Sequence, residues 1–259
     1  MEATSESMAT RLTLYDVAFV LAFYASLAYG IVYLSLPWVP IALEGLVSIL
    51  LPMYYILSPK PIYRDPQTGQ LYRKIFHIVG GSVLVIFMVY YPSLLVIYLV
   101  DSLLALFSIY EILRWYVLRR PIWISKGLSF FGDRGEVQGR PFVEALFGLL
   151  GVLVTISFFE KGAAICGLVT LSLGDGASGL IGERIKTPLL PFSKQKTVGG
   201  LFAGIVSSSL VALLLVGDPK VLAGTLLGMI VEAFSGILDN FLVPVSSAWF
   251  YAVLRMKWP

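Results

Sequence analysis

Val198 to Val216 is an unbroken stretch without one charged side chain. Wound as a helix it would be about 28 Å long, close to the roughly 30 Å of hydrocarbon in a bilayer. Several more runs of this kind follow one another along the chain, and that repetition limits the fold more than any motif does. In lipid, every backbone N–H and C=O needs a partner within the protein, which leaves helices and closed barrels. Continuous apolar runs of this length choose the helix. Composition agrees: 58% of the residues are hydrophobic and 14% are charged, against about a quarter charged in soluble domains. The expected fold is all-α, a polytopic integral membrane bundle of about eight or nine transmembrane helices. It forms one domain over residues 1–259, with the motif-bearing part at 73–244 and no motif in the two spans within 15–58.

The expected spans are 15–36, 38–57, 75–91, 93–113, 141–159, 163–181, 198–216 and 221–237. A ninth, 241–254, is short and holds Pro244, which makes it a weak span; Arg255 and Lys257 fit poorly with an outward exit, so a re-entrant or interfacial helix is the alternative. Residues 58–74 read as a polar loop with Pro59, Pro61, Pro66 and Gly69 as turn signals. Residues 114–140 form a long basic loop that suggests an interfacial helix with Trp115, Tyr116, Trp123 and Phe130. Charge orients the spans. Lys60, Arg64, Arg73 and Lys74 fall in one loop; Arg114, Arg119, Arg120, Lys126, Arg134 and Arg140 in another; Arg184, Lys186, Lys194 and Lys196 in a third. The opposite side has only Lys161 and Lys220. The positive-inside bias puts the three basic loops and the N-terminus in the cytoplasm. Residues 1–10 carry Glu2 and Glu6 and no basic region, so no cleaved signal peptide is expected. No Lys/Arg run stands apart from the spans, which argues against nucleic acid as a partner. The lone Cys166 rules out an internal disulfide and a cysteine metal cage; it reads as small apolar filler.

Against that background Asp175 stands out. It lies about two turns inside an apolar segment, where an ionised group costs about 2.5–3.5 kcal/mol at mid-span. A partner, water or a metal has to offset that cost. Chemically the carboxylate suits a Mg²⁺ ligand or a base for a lipid hydroxyl; the plainer reading is a polar packing residue. Gly174, Gly176, Gly179 and Gly182 match GxGxxG, yet no strand precedes them, so the dinucleotide reading fails its context. They suit close helix packing, or a helix that unwinds to offer N–H groups to phosphate. Residues 193–200, SKQKTVGG, open the next helix with lysines, a hydroxyl and free N–H groups, the makings of an anion site. The alternative is a basic cluster that stops transfer. Arg73 and Lys74 flank a span start as topology requires, and His77 follows one turn inside, by pattern a structural hydrogen-bonder more often than a ligand. Glu232 is intramembrane, and Asp239-Asn240 reads as a turn on the side of Asp175. A carboxylate and an amide carbonyl there are suitable oxygen ligands for Mg²⁺.

Four pieces of this sequence, in order, resemble the CTP-dependent polyprenol kinase family, which takes in dolichol kinase, phytol kinase and the CTP-using diacylglycerol kinase. RKIFHIVGG at 73–81 resembles the family's Arg-Lys-x-x-His opening. SLGDGASGLIGERI at 172–185 resembles its Gly-Asp-x-x-Ala-x-x-x-Gly core. KQKTVGG at 194–200 resembles its Lys-Ser/Thr-x-x-Gly element, and EAFSGILDNFLVP at 232–244 its closing Glu…Asp-Asn-x-x-x-Pro. The resemblance implies transfer of the γ-phosphate of CTP to the hydroxyl of a membrane isoprenoid alcohol or diacylglycerol, with Mg²⁺ as cofactor, at the cytoplasmic face. Carried onto this chain, it implies Asp175, His77 and Asp239 as catalytic residues. Gly174, Gly176, Lys194, Lys196, Thr197, Gly200, Arg73 and Lys74 would surround the nucleotide. Asp175, Glu232, Asp239 and Asn240 would hold the metal.

Two rivals remain at this level. A CTP:phosphatidate-type cytidylyltransferase shares an acid-bearing helix and a Lys-Lys-Thr-x-x-Gly segment that KQKTVGG resembles, but usually ends in a denser acidic signature. A transporter of a small anion or lipid would explain intramembrane acids, but it predicts inverted repeats, which the sequence lacks.

Overall fold

A computed structural model describes residues 66–112, 143–185, 187–193 and 196–257. The expected spans at 15–36 and 38–57 and the basic loop at 114–140 lie outside them. Among the described residues regular structure is helical, apart from an isolated antiparallel bridge between Leu189 and Thr197. The elements are α1 (Pro66–Tyr90), α2 (Ser93–Ile112), α3 (Val143–Phe158) and α4 (Lys161–Val169), then a π-helical turn (Thr170–Asp175) and α5 (Gly176–Arg184). Next come α6 (Val198–Val216), α7 (Val221–Ser235), a 3₁₀ turn (Gly236–Leu238) and α8 (Asp239–Lys257). Two of these pieces, among the described residues, are long and apolar enough to cross a membrane: Lys161–Arg184 and Val198–Val216. Shorter apolar helices are His77–Tyr90, Ser93–Leu104, Ala145–Phe158 and Val221–Ser235.

The central post is Lys161–Arg184, which joins α4, the π turn and α5 in one continuous helix. Packed around it are α1, α3, α6, α7 and α8. Its residues Ala163 to Val169 are buried throughout, and with Val85, Met88, Val152, Ala212 and Tyr251 they form the core. The outer faces are apolar as well. Phe202, Val206, Leu210 and Leu214 repeat every four residues along the exposed side of α6; Leu222, Leu226, Ile230 and Phe234 do the same on α7. Aligned apolar stripes of this extent suit hydrocarbon rather than water.

Two boundary expectations change. Helix α1 starts at Pro66, so the second half of the expected polar loop is helical; a proline is favoured where a first-turn N–H would go unpaired. The last segment is a single helix longer than the expected 241–254: α8 has 19 residues, packs on α7, α3 and α4, and buries Tyr251. Asp239 and Asn240 are its first turn rather than a loop. Pro244 sits inside it because the packing accommodates the loss of one backbone bond. The Asn240 carbonyl left without that donor faces α3, where Gly151 allows the approach: a Cβ there would lie 2.8 Å from it and 2.7 Å from the Phe241 Cα.

A prediction follows from that contact. Gly151→Ala is expected to destabilise the bundle by about 1–3 kcal/mol, because the obstruction is backbone and cannot turn aside. Gly148→Ala one turn earlier is the control, since its Cβ would meet Asn240 Cβ at an ordinary 3.7 Å. Thermal unfolding of the two purified variants in detergent tests the difference; equal melting temperatures would contradict it.

The ion pairs of the described residues sort to the two ends of the bundle. At one end Lys161 Nζ donates to the Val89 carbonyl (2.9 Å), Arg255 pairs with Glu160, and Tyr251 OH donates to Asp218 Oδ2 (3.1 Å). Gly217 closes α6 there in the left-handed conformation, φ 75°, which glycine adopts without penalty. A cleft of about 360 Å³ opens between these residues, but its lining groups are already paired with one another. The groups singled out from the sequence gather at the other end.

Candidate active site

Four elements bring the second polar cluster together. Asp175 closes the π turn and is 5% exposed. A single wide turn of this kind inside an α-helix often marks a functional position. The helix does not unwind there: its glycines lie at close contacts, Gly174 beside Met229 and Ser208, Gly176 beside Ile78, Gly179 beside Lys74 and Gly182 beside Thr197. Close packing is therefore what these glycines do in the structure.

Lys74, from α1, reaches across to Asp175, Nζ to Oδ1 3.2 Å, with both side chains largely buried. His77, one turn further along α1, is half-buried and within electrostatic reach of the same carboxylate. Arg73 precedes Lys74 in α1. Glu232, on α7, is 1% exposed and pairs with the Lys196 ammonium. Asp239 stands on the other side of that ammonium, at 4.0 Å. Asp175 also acts electrostatically on Glu232 and on Lys196, so the two ion pairs form one cluster. Burial alone would depress Lys196, but Glu232, Asp175 and Asp239 outweigh it and hold its pKa above the ordinary value. It is a cation at any ordinary pH. The Cβ of Asn240 lies beside Gly148 of α3. Lys194 lies outside the described residues.

The start of α6 departs from expectation. Its first N–H groups are not free. Val198 N–H donates to the Pro188 carbonyl (2.9 Å), Gly199 N–H to Thr187 Oγ1 (2.9 Å) and Gly200 N–H to Thr197 Oγ1 (3.1 Å). Helix starts leave such donors to be satisfied by their surroundings, and here the preceding segment supplies the partners. Thr197 is thus the helix cap, and Gly200 is where α6 meets α5: a Cβ there would come within 2.7 Å of the Ser178 carbonyl. Phosphate at this end would meet ammonium groups before it met backbone.

Sequence reasoning missed four residues around the cluster. Ser178, one turn beyond Asp175, donates to Glu232 Oε1 at 3.4 Å; its i+3 spacing from the acid was the available signal. Thr187 carried no signal, because its partner lies twelve positions on. Phe192 and Phe234 stack with ring centroids 3.9 Å apart beside the cluster.

As described, the cluster sets three carboxylates, Asp175, Glu232 and Asp239, against two ammonium groups, Lys74 and Lys196. Among the described residues it carries a surplus of negative charge suited to a cation. Glu232 and Asp239 flank one position that a positive charge already takes. Among the described residues no three of His, Cys, Asp or Glu gather as a metal cage, so the expected ligand set is not brought together whole; a Mg²⁺ here would have to rest on one or two carboxylates, with water and phosphate completing its shell.

No protein-family model matches the chain, and no solved structure matches it. Among curated proteins, a probable phytol kinase 3 of the chloroplast from Glycine max is 27% identical over 228 aligned residues, taking in 80% of this chain and 69% of that protein. The chain is therefore similar, over most of its length, to a protein named for the family that its four ordered motifs resemble.

Proposed function

We propose that this chain is a polytopic membrane kinase that moves the γ-phosphate of CTP to the hydroxyl of a membrane isoprenoid alcohol at the cytoplasmic face. The observation that carries the reading is the convergence of four sequence-distant motifs on one buried cluster, Lys74–Asp175 beside Glu232–Lys196–Asp239. Similarity to a phytol kinase supports a prenyl alcohol as acceptor. The motif order supports CTP as donor.

Phosphoryl transfer asks little covalent chemistry of a protein; it asks for cations around the phosphates and an acceptor held in line. In the proposed reaction the alcohol oxygen forms a bond to the γ-phosphorus, the bridging bond to the β-phosphate breaks, and CDP leaves. Mg²⁺, held by Glu232 and Asp239, would neutralise charge on the phosphates. Lys196, released from those carboxylates, turns to the phosphate oxygens. Asp175 accepts the proton of the alcohol, and Lys74 keeps its carboxylate aimed. His77 stands one turn along α1 from Lys74. Gly176, Gly179 and Gly200 let α1, α5 and α6 approach closely enough for these groups to meet.

Membranes containing the protein, given γ-labelled CTP or ATP and a panel of phytol, geranylgeraniol, dolichol and diacylglycerol, test the reading. The expected product is a labelled isoprenoid monophosphate from CTP, lost with EDTA. A CDP-lipid formed from phosphatidate, with no labelled monophosphate, would overturn it in favour of cytidylyl transfer.

A further inference from the structure

The segment between α5 and α6 folds back on itself. Leu190 N–H donates to the Lys196 carbonyl (2.9 Å), Val198 N–H to the Pro188 carbonyl (2.9 Å), and Leu189 bridges Thr197. Ser193 ties the returning arm, its Oγ accepting from Lys196 N–H at 3.0 Å. Two side chains of this hairpin reach the end of α7. Lys196 goes inward to Glu232, and Phe192 goes outward to Phe234, two residues further along the same helix. The first contact is ionic and buried at its acidic end. The second is apolar, and its rings are 52% and 64% exposed.

Those two contacts differ in what happens to them when substrate arrives. The ionic one opens in the proposed reaction, where Glu232 and Asp239 pass to Mg²⁺ and the ammonium turns to the phosphate. The aromatic one has no reason to open. We infer that the Phe192–Phe234 stack is a clasp: it keeps the hairpin docked on α7 while Lys196 exchanges its carboxylate partner for the nucleotide's phosphate. This deepens the kinase reading and rests on it. Phe192 and Phe234 are positioning residues, acting through Lys196 and touching no reacting atom.

The stack limits how far Lys196 can travel, so its loss should appear in nucleotide affinity and not in the handling of the alcohol. The test uses the full chain in nanodiscs with Phe192→Ala, Phe234→Ala, the double variant and Phe192→Tyr. Either alanine should raise KM for CTP about three- to tenfold, the weight of one aromatic pair. KM for the alcohol should hold. The double variant should be no worse than the singles, since both remove one contact, and the tyrosine should restore the wild-type value. Tryptic cleavage after Lys196 gives a readout independent of the reaction, and should be faster in both alanine variants in the absence of nucleotide. Unchanged cleavage and unchanged KM for CTP would overturn the clasp. Faster cleavage with an unaltered KM would also overturn it, leaving a structural brace. If the wild-type protein labels no alcohol from CTP, the kinase reading fails by itself, and the cleavage rates still decide whether the stack holds the hairpin.

Discussion

Asp175→Asn is expected to lower phosphate transfer from CTP by two or more orders of magnitude, about 3 kcal/mol of transition-state stabilisation. The amide neither takes the alcohol's proton nor balances Lys74. The second defect complicates the first. Lys74 is largely buried, and removing one member of a buried pair costs about 3–5 kcal/mol because the other is left uncompensated. A loss of activity alone would not separate chemistry from folding. The double variant Asp175→Asn with Lys74→Met does, since it removes both charges and leaves no unpaired ion. It should regain thermal stability in detergent and remain inactive. If it recovers transfer along with stability, the role of Asp175 is the ion pair, and the catalytic assignment falls.

The second large effect is expected at Lys196. Lys196→Met should reduce kcat/KM for CTP by about two orders of magnitude, as a lost charge-assisted contact to a developing phosphate would. The same variant should bind Mn²⁺ more tightly in the absence of nucleotide, because Glu232 and Asp239 no longer have a built-in counter-ion. Spin-resonance titration of free Mn²⁺ reads this directly. Lys196→Arg keeps the charge and should retain a measurable part of the rate. The wild-type pH profile adds a check. The carboxylates around Lys196 hold its pKa above the ordinary lysine value, so no fall in rate up to about pH 10 should trace to its deprotonation. Activity lost across the range from pH 8 to 9 in wild type, and absent in Lys196→Arg, would contradict that placement.

The spans were legible where charge and caps framed them. Val198–Val216 was read to the residue because Thr197 and Gly217 punctuate an uncharged run. The start of the final helix is not legible because Pro244 and Asp239-Asn240 are local arguments for a turn, and they yield to packing on α3, α4 and α7. Local sequence holds no record of such neighbours. The same limit applied at the site. Motif order suggests that Asp175, Lys196 and Glu232 lie together, yet not which lysine pairs with which acid. Lys74 and Asp175 are 101 positions apart, and Lys196 and Glu232 are 36 apart. The free N–H groups expected at the head of α6 failed for a related reason: Thr187, which occupies one of them, belongs to a hairpin whose closure depends on two arms meeting.

The wide turn at Thr170–Asp175 carries a consequence for how a chain like this tolerates insertions and deletions. A π turn accommodates one surplus residue, and each residue in an α-helix advances about 100° around the axis and 1.5 Å along it. Deleting any single residue among Thr170 to Gly174 would let the helix close into regular winding. The flanks would keep their phase, because the wider winding of the turn takes up the surplus residue; what would change is the local aim of the residues within it, Asp175 among them. A one-residue deletion in the regular α-helical part of Lys161–Arg184 has no such slack: each residue lost there turns one side of the post by about 100° against the other. The wide turn is thus where the packing of the post should best bear a change in length, and where the site alone would register it.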